Sequence, residues 1–523
     1  MDKIIRTCTA IFFLVHIFII LGGGSCAKKS EMYFSTLPIL TSPPKESTIQ
    51  SVFKNSNSAD SDEFVAPLEV TITRKPLKWV KSGGALNLKA EAVHASGIVT
   101  YVWKIDGIKS GVTNTENNYQ LQIPEIVSCD EKKIISVIAT DNKGRTAQGH
   151  VEIMVSKTWC TFQAQEDQLL SNHVTKLALG EKGKIWIGTD KGLNGFDGTL
   201  WEKVTGENSA LGRSPGYLNE RNYINALFVQ KNKIANQDEV WISACENENS
   251  NCAGVQRFIG NPHDTTMVNW VRYSSEYCTW DNSYQNLYSN VVKVLASKQG
   301  KLLIGTDAGV DIIALDAPQE RHKNCLIRGY GVNAILPNAQ AGNDWYGTEA
   351  HYFSNGAIYW HHQKDKKQGW LNKTNWAGKK NDSVSTLARD GANIYIGFQK
   401  GGMVRVGGTW KRFMKQNDNS MPGNDIRSIV IGKKDRFIDE NKHQFYRSSV
   451  WVATSTGLGR FIPKKAMQND GAWESAPFKA AAVKAQGGLI TDDITALAYD
   501  KITDTLWIGT NKGGLTRLRV GIL

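Results

Sequence analysis

Six aromatic residues sit where this 523-residue chain departs from its own repeat. Tyr277, Trp280, Tyr284 and Tyr288 crowd the segment SSEYCTWDNSYQNLYSN (274–290). Trp370 and Trp376 lie in HHQKDKKQGWLNKTNWAGKKN (361–381). Flat rings among Asn, Asp and Lys suit stacking on sugar rings with hydrogen bonds to hydroxyls, or a protein hot spot. The plainer use of such residues is to pin down long loops. The other chemistry-bearing set is the ten histidines, scattered apart from His361 and His362, with His351 nearby. No HExxH, GxSxG, phosphate-loop or CxxC motif is present. No Cys–His spacing fits zinc. These patterns predict a non-catalytic binding protein with no cofactor and no metal site.

The elements that would position those rings come from a motif that returns seven times. KIWIGTDKGL (184–193), KLLIGTDAGV (301–310) and LWIGTNKGGL (506–515) are the clear copies. VWISACENENSNCAGV (240–255), DWYGTEA (344–350), NIYIGFQKGG (393–402) and VWVATSTGL (450–458) are degenerate ones. Aligned on Trp186, Trp241, Leu303, Trp345, Tyr395, Trp451 and Trp507, the steps run from 42 to 62 residues. Periods of that size predict a propeller or solenoid.

Each copy reads as a four-stranded blade. An apolar stretch before the signature, such as VTKLALG or ITALAYD, is the inner strand a, and the W-I-G-T core is a strand b covered on both faces. Gly188, Gly305, Gly347, Gly397 and Gly509 remove a side chain where a neighbour must approach closely. G-L or G-V begins strand c, and a further Trp marks strand d: Trp159, Trp201, Trp270, Trp360, Trp410 and Trp473. The seventh copy ends at strand c, so Trp159–Phe162 are expected to supply its strand d and close the ring. Asp190, Asp307, Glu349 and Asn511 after strand b, and Asn172, Asn290, Asp382, Asp425 and Asp493 before strand a, recur blade after blade and predict turn chemistry. Trp280, Trp370 and Trp376 remain. All three are placed in d–a insertions crowning one face near blades three to five.

The repeat resembles the two-component regulator propeller repeats known from periplasmic sensors of hybrid histidine kinases in Bacteroidota. The resemblance covers about two-thirds of the chain and implies a seven-bladed β-propeller spanning 158–523. It does not extend to a second propeller, a downstream β-sandwich or a kinase, so signalling by this chain alone is not expected. Propellers of the streptogramin-lyase type carry histidines and a metal on one face. Here the His pair falls in a Lys-rich loop without that family's repeat wording, which leaves a lyase as the weakest alternative.

The N-terminus supplies an address. Lys3 and Arg6 precede the apolar stretch Ala10–Leu21, too short to span a bilayer comfortably. Gly24-Ser25-Cys26 resembles the end of a lipoprotein signal, which implies acylation of Cys26; Gly23 departs from the Leu that pattern prefers. Cleavage after Ala27, giving a secreted or periplasmic form, is the alternative. The expected location is the cell envelope, as an outer-membrane lipoprotein. With Cys8 and Cys26 set aside, the remaining six cysteines suit an oxidising compartment. Cys245 with Cys252, Cys278 with Cys325 and Cys129 with Cys160 are the expected pairs, although spacing alone leaves connectivity open.

Residues 27–66 read as a Ser/Pro/Asn-rich tether. Residues 67–157 carry six strand-length runs, and Trp103 with the Asp141-Asn142-Lys143-Gly144 turn resembles immunoglobulin-like domains of the polycystic-kidney-disease type. The predicted fold class is therefore all-β, a seven-bladed propeller behind an N-terminal immunoglobulin-like sandwich. Net charge is +12, spread as single lysines. That suits a solvated surface or an acidic partner such as an anionic polysaccharide, and not nucleic acid. The expected partners are a glycan or an envelope protein, with membrane contact through the N-terminal lipid. A structural or adhesion role in a surface complex is the alternative.

Overall fold

The computed structural model describes residues 66–523 apart from 74–78, 111–114, 166, 214–220, 267–268, 275–286, 288, 316–325, 351–356, 363, 372–381, 408, 417–419, 439–443, 464–470 and 474–477. The signal-like segment with Cys26, and the tether, lie outside the described residues.

Strands Glu69–Ile72, Ala85–Val93 and Asn118–Gln122 form one sheet of a sandwich. The facing sheet runs in the order Val80–Lys81, Thr146–Ser156, Asp130–Thr140, Thr100–Ile105, Ile108–Lys109. Period-two alternation sends Tyr101, Trp103 and Ile105 inward from one strand. They meet Leu88, Leu121, Val137 and Val155 in a shared core. Trp103 stacks on Tyr119 at 6.2 Å between ring centroids and is a core residue, as its sequence context suggests.

The rest is a closed ring of seven blades. Their inner strands a are Val174–Leu179, Tyr223–Asn232, Val292–Lys298, Val332–Gln340, Val384–Asp390, Ser428–Ile438 and Ile494–Asp500. Each packs beside the next, and the seventh packs beside the first. Strand b is almost wholly buried in six blades, and in blade six from Ser448 to Thr454, because neighbouring blades cover both of its faces. In the seventh blade the sheet order is Ile494–Asp500, Thr505–Thr510, Leu515–Arg519, Trp159–Phe162. Leu515 pairs with Phe162 and Leu518 with Trp159. The segment before the first blade thus supplies the last strand, as expected, and removes the free edge.

Two repeated devices set the spacing between blades. A Cβ on Gly347 would lie 2.4 Å from Val384 Cγ1, and one on Gly509 would lie 2.5 Å from Val174 Cγ1. In both cases the side chain crowding in belongs to the next blade's strand a. Blades two and six place Ser243 and Ala453 at this position instead. The second device is a one-residue register shift near the start of strand a in six blades. The extra residue reaches the following blade. Thr175 Oγ1 donates to Ile224 O (2.7 Å) and Asn225 Nδ2 to Val292 O (2.7 Å). Asn333 Nδ2 donates to Val384 O (3.2 Å), Ser385 Oγ to Ile426 O and Arg427 Nη1 to Ile494 O (3.5 Å). Thr495 Oγ1 returns to Val174 O and completes the circuit. Lys293 breaks it, pairing with Glu349.

Blades three and four depart from the sequence reading. Among the described residues, blade three has three strands, and a single bridge from Val310 to Leu326 stands where strand d was expected. In blade four, Trp360 belongs to strand c (Ile358–His362), and Trp370 belongs to strand d (Lys367–Leu371) rather than to an insertion. The fourth copy lacks the early G-L that starts strand c elsewhere, so strand c begins only at Ile358 and displaces every later element. His361 and His362 consequently lie on strand c, not in a loop.

The sandwich is joined to the closing blade. A disulfide links Cys129 to Cys160, the latter on the strand that completes blade seven. Beside it Arg517 bonds both carboxylate oxygens of Asp130, its Nη2 reaching Oδ1 at 2.9 Å, and also donates to Cys129 O (3.1 Å) and Ser156 Oγ (3.2 Å). Arg519 Nη2 reaches Asp130 Oδ2 at 3.3 Å, and its guanidinium stacks 3.7 Å from the Trp79 ring centre. Burial and the nearby Arg517 charge bring the Arg519 pKa down to about 10.

Candidate loop-face binding site

The b–c and d–a connections share one face of the ring, and the repeated polar residues there hold turns. The N–H of Asp190 bonds His173 O, that of Asp307 bonds Val291 O, that of Glu349 bonds Gly331 O and that of Asn511 bonds Asp493 O. The signature threonines close the b–c turns: Thr189, Thr306, Thr454 and Thr510 donate to Gly192, Gly309, Gly457 and Gly514 carbonyls. Asp382 Oδ1 accepts from Lys400 N (2.8 Å), and Asp425 Oδ2 from Ser455 N (3.0 Å). Asn172 Oδ1 accepts from Ala164 N (2.8 Å). The atoms named here are committed to the scaffold, so recognition has to come from side-chain atoms these turns leave over and from what is not repeated.

Of the six aromatics singled out by sequence, Tyr277, Trp280, Tyr284, Tyr288 and Trp376 lie outside the described residues, as do Cys278 and Cys325. Trp370 is described. It stands one residue before the end of strand d in blade four, at the root of the 372–381 segment, and is 39% exposed. Tyr359 packs against it edge-on at 5.1 Å between centroids, and Tyr330 packs at 5.0 Å and 57°. Tyr359 comes from strand c and is buried, which pushes its hydroxyl pKa up. Tyr330 precedes strand a of the same blade, so two backbone elements brace one exposed indole. Sequence reasoning missed both tyrosines. Nothing in GYGV or AIYW marks them, because their role follows from how strands a, c and d converge at the loop face.

The histidine pair does different work. His362 Nδ1 lies 3.1 Å from Asp365 Oδ2 at the c–d turn. His361 pairs across strands with Asp344, whose Oδ1 meets Lys298 Nζ at 2.7 Å. Burial lowers the His361 pKa; Asp344 opposes the shift, while Lys298 and His362 reinforce it. Among the described residues no three His, Cys, Asp or Glu side chains converge on a common metal position. A second disulfide, Cys245–Cys252, braces the b–c loop of blade two.

No family model matches the chain, and no curated protein does. Among solved structures it is similar to the extracellular domain of BT3049, a hybrid two component system protein from B. thetaiotaomicron. That match has 17% identity and TM-score 0.46, and covers 69% of this chain and 42% of the other. An auxiliary nutrient binding protein from Bacteroides thetaiotaomicron matches with 10% identity and TM-score 0.35, covering 87% of this chain and 97% of the other. PorZ, a surface component of the type-IX secretion system of Porphyromonas gingivalis, matches with 13% identity and TM-score 0.43, covering 74% of this chain and 56% of its own. The chain thus spans less than half the length of the first of these. At such scores the likeness carries no functional argument, and the fold assignment rests on the strand order of the chain itself.

Proposed function

We propose that this chain is an exported, lipid-anchored, non-catalytic binding protein that recognises a glycan or an envelope protein through the loop face of its propeller. The observation that carries the reading is Trp370, an exposed indole on the last strand of blade four, held between Tyr330 and Tyr359. A ring fixed in this way loses little freedom on contact, so stacking on a sugar face or a partner's apolar group costs little ordering entropy. Acylation at Cys26 and an envelope location follow from the signal-like N-terminus, and the two disulfides suit an oxidising compartment.

The second reading, a structural or adhesion component of a surface complex, is favoured by the seam at Asp130, which ties the sandwich to the closing blade. A glycan array probed with wild type and Trp370→Ala tests the first reading. Loss of bound glycans with an unchanged melting temperature supports it. Unchanged glycan binding in the variant refutes it.

A further inference from the structure

Blade two breaks the repeat at the mouth of the central channel. Its disulfide-braced b–c loop leans inward, where Asn249 Oδ1 accepts from Asn225 Nδ2 at 3.1 Å. The adjacent Glu248 is thereby set against blade one, and its carboxylate acts electrostatically on both Lys176 and Tyr223. Lys176 is the third residue of strand a in blade one. The other blades place Ala226, Val294, Ala334, Thr386, Ser428 and Ala496 there, so it is the single charge in that layer. Among the described residues its ammonium has neither a hydrogen-bond nor an ion-pair partner. Lys176 is half-buried, and that burial lowers its pKa while Glu248 opposes the shift, so the ammonium lacks a full counter-charge.

Acceptors and a donor complete the surroundings. Asp190 Oδ2 lies 3.8 Å from His173 Nδ1, and the Asp190 side chain is 32% exposed, which leaves its carboxylate open to a further donor. His173 packs edge-on against Tyr223 at 6.0 Å between centroids. Burial, then Glu248 and Asp190, push the Tyr223 pKa up to about 12, so its hydroxyl remains a donor at neutral pH. A ligand that satisfied the whole set would bring an anion to the ammonium and hydroxyl groups to the carboxylates.

We propose that the channel mouth between blades one and two binds a carboxylate-bearing sugar, its carboxylate on Lys176 and its hydroxyls on Asp190, Glu248 and Asn249. This rests on the glycan reading and adds the substrate class. A neutral sugar would leave Lys176 unpaired, and a simple anion would leave Asp190 unsatisfied.

The test is affinity electrophoresis of the folded protein in gels containing polygalacturonate or hyaluronate, and in gels containing the carboxyl-reduced polymers. Wild type should be retarded by at least one uronate polymer and at least tenfold less by its reduced form. Lys176→Met should lose at least tenfold in affinity without a change in melting temperature, and Lys176→Arg should lose less. Lys182→Met, at the exposed a–b turn on the far side of the blade, should bind as wild type does. Equal loss in Lys176→Met and Lys182→Met would reveal general attraction of a basic protein to polyanions and overturn the proposal. Retention of the reduced polymers alone, abolished by Trp370→Ala, would overturn it while leaving the glycan reading intact. No retention by any polymer would remove this proposal, and a blank result on the glycan array as well would remove the reading beneath it.

Discussion

Replacing Asp130 with alanine removes the carboxylate that meets both Arg517 and Arg519 at the seam between sandwich and propeller. The two arginines are 3% and 7% exposed, so neither can recover its lost partner from bulk water. Removing one member of a buried ion pair costs about 3–5 kcal/mol, because the other charge stays buried and unpaired. Asp130→Ala is expected to lose that much in urea unfolding at pH 7, read by tryptophan fluorescence with disulfides intact. Burial works against ionisation of Asp130, but the Arg517 and Arg519 charges and the Ser156 hydroxyl outweigh it and hold the pKa below the usual value. With a depressed folded pKa, the seam's contribution is complete above the unfolded value of about 3.9 and is lost as pH falls through the folded one. Wild type should therefore converge on the variant in strong acid. The triple variant Asp130→Ala, Arg517→Met, Arg519→Met leaves no charge unpaired and should regain about half the loss. A cost below about 0.5 kcal/mol for Asp130→Ala would refute the reasoning, since that is the scale of an exposed pair. A triple variant weaker than the single one would refute it too.

Gly347→Ala forces a Cβ to 2.4 Å from Val384 Cγ1 and should cost about 1–3 kcal/mol in urea unfolding; a neutral result would mean that blade spacing is looser than described. Cys129→Ser with Cys160→Ser opens a loop with sequence separation 31 and should lower stability by about 4 kcal/mol, whereas an unchanged urea midpoint would contradict the clamp. Burial opposes ionisation of Asp141, but the Ser96 N–H and the Arg145 side chain and N–H prevail and hold its pKa at about 2. Its NMR titration should have a midpoint near 2, with the turn's stabilisation lost as pH falls through that value; a midpoint near 4 would show the turn to be open.

Much of this fold was legible because the repeat encodes it. Trp186, Trp241, Trp345, Trp451 and Trp507 recur at a buried position in strand b, and Trp159–Phe162 could be placed in blade seven because the repeat count left that blade one strand short. Misreading began where a copy lost its markers. Without the early glycine of strand c in blade four, Trp360 passed for strand d and Trp370 for a loop. The candidate site was harder to read. Tyr330 and Tyr359 are 29 residues apart in sequence and both pack on Trp370. Lys176 looked like one more scattered lysine until the same layer of the other blades proved uncharged. The Asp130 clamp was visible only through its disulfide, since charges contributed by opposite ends of the chain leave no local pattern.

The most direct test of the central claim is a paired binding measurement on the loop face. Wild type and Trp370→Ala, shown to melt at the same temperature, would be titrated by calorimetry with a glycan retained on the array. A loss of at least tenfold in affinity is predicted, matching removal of a stacking ring worth upwards of about 1 kcal/mol together with its buried apolar contact. Equal affinities would contradict the account and leave Trp370 as a residue that merely secures the root of a loop.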